Sequence, residues 1–121
     1  MKHLFLTFLL CFMGSMTTYA AQKSVVCTLK GIEDPISFII PQKMGDPPEI
    51  DFSYPVSVTR FSMREGNLLL VAMDQEDASR PRIFISAQSS PKNSAYMGQF
   101  MTDMGGNQLQ LDNGRVSCVV K

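Results

Sequence analysis

Residues 94–120, SAYMGQFMTDMGGNQLQLDNGRVSCVV, carry the clearest fold signal in the chain. Three segments with alternating apolar and polar side chains lie within this stretch, at 94–102, 108–111 and 115–120. Such alternation is typical of strands with one buried face. The pairs Gly105-Gly106 and Asn113-Gly114 separate the segments, and both pairs favour hairpin turns because glycine adopts positive φ without strain. The stretch therefore predicts an antiparallel meander of three strands.

Five further β-like segments precede this meander, each bounded by turn residues, at 24–30, 36–40, 56–63, 68–73 and 82–88. The apolar side chains of the third segment change face midway, which predicts a β-bulge near Arg60. The unbroken apolar run of the fourth predicts a strand covered on both faces. With about eight strands and no helix, the predicted fold class is all-β: a small antiparallel barrel, or a flattened barrel or sandwich.

The first twenty residues have the three parts of a secretory signal peptide: Lys2, an apolar core over 4–13 and a small-residue end at Ala20. The apolar core spans ten residues, whereas a membrane-crossing helix needs roughly twenty. We therefore expect cleavage after Ala20, with residues 21–121 forming a single β domain in the periplasm or outside the cell and no membrane span. Cys11 and the single histidine, His3, would leave with the signal peptide.

Two cysteines remain after this cleavage, Cys27 near the start and Cys118 near the end. An even number of cysteines in an exported chain predicts a disulfide. Both lie at inward-facing positions of the first and last predicted strands. The bridge would thus tie the two ends of the chain together and close the domain.

The composition argues against several functional classes. Without His3 and with both cysteines bridged, neither a Ser-His-Asp nor a Cys-His site can be built, so we expect no enzyme. The mature charge is close to balanced, with ten basic and eleven acidic side chains, which gives no electrostatic case for nucleic acid. No cofactor motif is present. The acidic clusters Asp46, Glu49, Asp51 and Asp74, Glu76, Asp77 lie in predicted loops, where charged residues are usually just solvated.

Two weak metal candidates are present. The loop from Asp74 to Ser79 could bind surface calcium weakly, although it lacks the glycine of a calcium loop, and methionine offers a candidate for copper. The spacing of Met97, Met101 and Met104 resembles that of exported copper-handling proteins, since thioethers are soft ligands for Cu(I). On a strand, however, Met97 and Met101 would be about 13 Å apart. They would meet around one ion only if a bulge or turn folded the strand. Packing in the core is the favoured interpretation.

The leading hypothesis is a non-enzymatic binding module whose partner is an envelope or extracellular protein. Long loops on a rigid β scaffold commonly carry function, and here these are predicted at 42–54, with Ile50 and Phe52 turned inward, and at 74–81. The alternatives are a barrel that carries a small ligand in its interior and a Cu(I)-handling protein. The oligomeric state is left open.

The general plan of the chain resembles that of small exported lysozyme inhibitors: a signal peptide, a short β-barrel chain and an end-to-end cysteine pair. Those families carry a Ser-Gly-x-x-Tyr-like loop that enters the lysozyme cleft. The nearest stretch here, Ser94-Ala95-Tyr96, lacks the glycine and the spacing. The resemblance implies inhibition of an envelope-acting hydrolase as one form of protein binding, and it transfers no site residues.

Overall fold

The computed structural model describes residues 23–43 and 45–121, so the predicted signal peptide lies outside the described residues. Seven strands form one antiparallel sheet, and no helix occurs in the described part. Their bounds are β1 Ser24–Leu29, β2 Ile36–Ile39, β3 Val56–Arg64, β4 Asn67–Asp74, β5 Pro81–Ser90, β6 Asn93–Asp103 and β7 Leu111–Val120. The predicted all-β class is confirmed.

The sheet has the order β2-β1-β7-β6-β5-β4-β3, which leaves β2 and β3 as its two edges. It curls into a half-barrel, and the edges approach each other across the concave side. There Phe38 of β2 and Phe61 of β3 meet edge to face, with ring centroids 5.5 Å apart. Edge-to-face packing aligns the positive rim of one ring with the negative face of the other. An aromatic contact therefore links the two edges where no ladder does.

The core fills the concave side of the sheet with alternate side chains from the strands. The buried apolar members are Val25, Cys27, Leu29, Ile36, Phe38, Leu68, Leu70, Ala72, Ile83, Ile85, Ala87, Phe100, Val116 and Cys118. Cys27 and Cys118 lie directly opposite each other on the neighbouring strands β1 and β7, with Cα atoms 4.0 Å apart, and form a disulfide. The predicted bridge between the first and last strands is thus confirmed.

The predicted strand at 108–111 is wrong. Residues 104–110 form the loop between β6 and β7, and Asn113-Gly114 lies inside β7 instead of at a turn. Gly114 pairs with Phe100 of β6, and a Cβ atom at Gly114 would come within 3.3 Å of the Phe100 ring. This glycine therefore makes room for an aromatic side chain on the neighbouring strand. The described residues thus form seven strands where eight were predicted.

The bulge predicted near Arg60 is present, since the register between β3 and β4 shifts between Val58 and Arg60. The expectation that β4 is covered on both faces is wrong. Leu68, Leu70 and Ala72 face the core, whereas the alternate side chains of β4 lie half-buried on the convex side. No second layer covers that side within the described residues, so the convex face of β4 keeps partial contact with solvent.

The part of the chain that the structure describes contains no helix long and apolar enough to cross a membrane.

Candidate functional site

The two long connections predicted as contact surfaces lie at different places in the fold. The first, 40–55, runs from the edge strand β2 to the edge strand β3, and the second, 75–80, joins the inner strands β4 and β5. The two connections also differ in the side chains that surround them. The second connection belongs to a cluster of paired charges, which we call the polar end, and the first borders an open groove.

Arg82 lies at the centre of the polar end. Ala72 pairs with Ile83 and Met73 with Pro81, so Arg82 is the extra residue of a β-bulge. A bulge redirects side chains, and both Arg82 and Ile83 are buried. The guanidinium of Arg82 donates from Nε to Asp74 Oδ2 at 2.7 Å and lies 4.0 Å from the centre of the Tyr54 ring.

A second ion pair extends the polar end to the loop after β6. Arg80 donates from Nε to Asp103 Oδ2 at 2.6 Å, and its other nitrogens donate to carbonyls of that loop, including Gly106 O at 2.6 Å. Arg82 Nη1 also donates to Asp103 O at 2.9 Å and to Gly105 O at 2.6 Å. The two arginines therefore fasten the 104–110 loop to the start of β5.

Both central carboxylates have hydrogen-bond donors on each oxygen. Asp74 Oδ1 accepts from the backbone N–H groups of Glu76 and Asp77 at 2.8 and 3.0 Å. Asp103 Oδ1 accepts from those of Gly105 and Gln110 at 3.0 and 3.1 Å. Within the described residues, Thr102 Oγ1 is the only buried side-chain polar atom without a partner. The polar end is thus a saturated network.

This network lowers the pKa of its carboxyl groups. The hydrogen bond from Arg80 holds the pKa of Asp103 well below its usual range, and the hydrogen bond from Arg82 lowers the pKa of Asp74. The same contact with Asp103 raises the pKa of Arg80. Hydrogen bonds to a charged form favour that form. Because a general acid needs a pKa near the working pH, these carboxylates are poor proton donors near neutrality.

A groove of about 830 Å³ lies beside the edge strand β2. One side of it includes the outward residues Ser37 and Ile39 of β2, together with Val26 of β1. The other side is the segment 47–51 of the first connection. Ile39 is 52% exposed, so a large apolar side chain is open to solvent in this groove.

One wall of the groove is the segment 47–51, which is held in place by side chains that pack against the core. Pro48 is buried, and Ile50 and Phe52 pack against the core, as the sequence predicted for the two larger side chains. The alternate residues Glu49 and Asp51 are exposed and line the groove, and none of the described residues in its lining is basic. Neither carboxylate forms a salt bridge with another described residue. The groove is therefore acidic along one wall.

The free edge of β2 carries backbone groups that point away from the sheet. Ile40 N donates to Lys23 O at 2.9 Å, and Val25 pairs with Phe38. In an antiparallel ladder, alternate residues direct their N–H and C=O groups to the same neighbour. Phe38 and Ile40 thus face β1, whereas Ser37 and Ile39 face outward. No hydrogen bond joins the outward groups to another described residue.

The structure does not bring the methionine candidates together. Met97 and Met101 lie on the convex side of β6, and the pairing with β7 runs without a register shift between them. Their separation thus stays near the strand value of about 13 Å. Met104 lines a different cavity, next to Leu29 and Ile36. Among the described residues, no group of three or more His, Cys, Asp or Glu side chains is placed to hold a metal ion.

Sequence reasoning missed the residues that define both regions: Ser37, Ile39, Arg80, Arg82 and Asp103. A signal for the polar end was nevertheless present, because Asp74 and Asp103 each end an apolar stretch and Arg80 and Arg82 flank a proline where the next strand begins. No comparable feature of the sequence indicates the groove. It depends on which strand lies at the edge of the sheet, which is a property of the topology.

No model of a known protein family, no curated protein and no solved structure matches this chain.

Proposed function

We propose that this chain is an exported, non-enzymatic binding module that holds a protein partner in the groove between β2 and the segment 47–51. One observation carries the proposal: the groove places an exposed apolar side chain, Ile39, beside outward backbone groups and two carboxylates that form no salt bridge within the described part of the chain. Its volume of about 830 Å³ falls within the range of ligand clefts. The disulfide supports an oxidising compartment outside the cytoplasm.

Binding explains the groove better than catalysis does. The carboxylates of the polar end are saturated and ionised. Among the described residues that line the groove, the reactive side chains are the hydroxyls of Ser24 and Ser37 and the carboxylates of Glu49 and Asp51, with no histidine or lysine beside them. A hydrolase needs a nucleophile with a base to activate it, or a pair of carboxyl groups with separated pKa values. Partly buried apolar groups with a polar rim are instead the usual anatomy of a protein interface.

Site-specific photo-crosslinking in the source cells tests the proposal. A photoreactive side chain at Ile39 should give one discrete adduct, whose attached segment is identified by mass spectrometry. The same side chain at Leu109, which is 67% exposed and outside the groove, is the matched control. The purified partner should then form a 1:1 complex with the protein. Equal adducts from both positions, or none, would contradict the proposal.

The identity of the partner decides between forms of binding. A cell-wall hydrolase that loses activity in the complex would make the protein an inhibitor. A partner without hydrolytic activity would make it an adaptor or a structural component of the envelope.

A second candidate function is the transport of a small ligand. A cavity of about 310 Å³ lies between the segment 40–46 and the end of β3, and its apolar lining includes Ile40, Phe61 and Met63. This volume is at the lower limit for small-molecule sites. Native mass spectrometry of the protein from its source favours the carrier if a reproducible extra mass is retained, and opposes it if only the bare disulfide-bonded mass appears.

A further inference from the structure

We infer that the partner enters the groove as an extended segment with a basic side chain, which pairs through its backbone with the free edge of β2. The inference rests on the proposed function and specifies how the partner binds. Peptides that add a strand to a sheet edge gain affinity from main-chain hydrogen bonds and specificity from alternate side chains. Each requirement has a counterpart in this groove.

The backbone requirement is met by Ser37 and Ile39. Both point their N–H and C=O groups away from β1, and within the described residues nothing pairs with them. The segment 47–51 lines the other side of the same groove, but among the described residues it contributes no hydrogen bond to β2. The groove therefore lies between the free edge of β2 and the segment 47–51. An added strand would lie in this place.

The other edge of the sheet is protected against such pairing. β3 has a bulge between Val58 and Arg60, and both Arg60 and Arg64 are exposed on it. Bulges and inward or edge charges are devices that keep an edge strand from pairing with another chain. β2, with the sequence Ile-Ser-Phe-Ile, has no charge, no proline and no register shift against β1. With four residues, β2 is short, which also limits pairing, but it lacks the bulge and the charges of β3. It is therefore the edge better suited to accept a partner.

Charge complementarity specifies the occupant. Glu49 and Asp51 line the groove without a basic neighbour in the lining, so a lysine or arginine of the incoming segment would gain an attractive interaction with both. Ile39, Ile50 and Val26 supply apolar contacts in the same groove. The expected occupant is therefore an extended segment in which apolar and basic side chains alternate with small ones.

The test uses two synthetic nonapeptides, Thr-Val-Lys-Val-Thr-Val-Lys-Val-Thr and the same sequence with Glu in place of each Lys. Each peptide is titrated up to 1 mM into the disulfide-bonded protein from its source, and binding is followed by NMR. We expect the lysine peptide to bind at least tenfold more tightly than the glutamate peptide. We also expect it to slow hydrogen exchange at the amides of Ser37 and Ile39 at least tenfold.

Two variants separate backbone pairing from side-chain contact. Ser37→Pro removes an outward N–H group, and proline is tolerated on the free side of an edge strand, so the fold should persist by circular dichroism. This variant should bind the lysine peptide at least tenfold more weakly. Ser37→Ala, which keeps the N–H group and loses only the hydroxyl, should bind within twofold of the unchanged protein.

A third variant tests the charge. Glu49→Lys/Asp51→Lys should reverse the preference, so that the glutamate peptide becomes the tighter ligand. The inference is overturned if neither peptide changes the spectrum, if Ser37→Pro and Ser37→Ala bind alike, or if the exchange at Ser37 and Ile39 is unaltered. If crosslinking from Ile39 still identifies a partner in that case, the proposed function stands and only the mode is wrong. If both experiments fail, the proposed function fails as well.

Discussion

The two long connections of this domain differ in how far the fold satisfies its own polar groups. At the polar end, the connection 75–80 brings Arg80 and Arg82 against Asp74 and Asp103, and each carboxylate oxygen has a donor. Along the groove, the connection 40–55 leaves Glu49 and Asp51 without ion pairs in the described part. A saturated cluster stabilises the domain, whereas unsatisfied groups beside a free strand edge are available to a partner.

Breaking the polar end should have the largest effect on stability. We expect Arg82→Met to lower the free energy of unfolding by about 3–5 kcal/mol, because it leaves the largely buried carboxylate of Asp74 without its ion-pair partner. Urea unfolding followed by circular dichroism measures this loss. Arg60→Met, at an exposed position of β3, is the matched control and should change stability by less than about 0.5 kcal/mol. Similar losses in both variants would mean that the cluster contributes little.

Removing the disulfide should have the second-largest effect on stability, because the bond joins β1, next to the groove, to β7. The β1–β2 hairpin is paired with the remaining strands of the sheet through β7, and the bridge joins the two strands of that pair. Replacing both cysteines by alanine should cost about 2–5 kcal/mol, with hydrogen exchange rising most at the amides of β1 and β2. A uniform rise across all strands would show that the hairpin has no separate dependence on the bridge.

Acidification should weaken the polar end selectively. The pKa values of Asp74 and Asp103 are lower in the folded chain than their ordinary value, so the folded state binds fewer protons than the unfolded state. Their contribution is therefore present above the unfolded pKa of about 4, and it is lost progressively as the pH falls from there through the lower pKa values of the folded chain. The urea midpoint should drop between pH 5 and pH 2.5, and Asp103→Asn should show a smaller drop. A midpoint independent of pH in this range would contradict the pairing.

The smallest effect on stability is expected in the groove. Ile39→Thr replaces an exposed apolar side chain with another β-branched one, so the free energy of unfolding should change by less than about 0.5 kcal/mol. Binding of the lysine peptide should nevertheless weaken severalfold, which NMR titration measures. A large loss of stability without a change in binding would assign Ile39 to the fold alone.

How much of this fold the sequence predicts depends on whether a feature is local. The alternation of apolar side chains correctly located most strands, and the change of face after Val58 correctly indicated the bulge near Arg60. The pair Asn113-Gly114 led to a wrong turn prediction, because it lies inside β7, where Gly114 faces the Phe100 ring. Glycine serves equally well at a turn and opposite a bulky cross-strand side chain, and the sequence alone does not distinguish the two.

The candidate site depended on information that is not local. The acidic positions Glu49 and Asp51 and the loop around them were noted from the sequence, but Ser37 and Ile39 were seen only as part of a strand. Their importance follows from the sheet order, in which β2 has a neighbour on one side only. In the same way, the burial of Arg82 follows from the extra residue between Pro81 and Ile83 in the pairing with β4.

The bond between Cys27 and Cys118 makes a covalent ring of the chain between them, 91 positions apart in sequence. A protease that cut once within the largely exposed connection 40–55 would open this ring without releasing a fragment. On a gel without reductant such a nicked molecule would keep its full mass, and with reductant it would separate into two pieces. This connection can thus be cleaved once while every strand remains attached to the others.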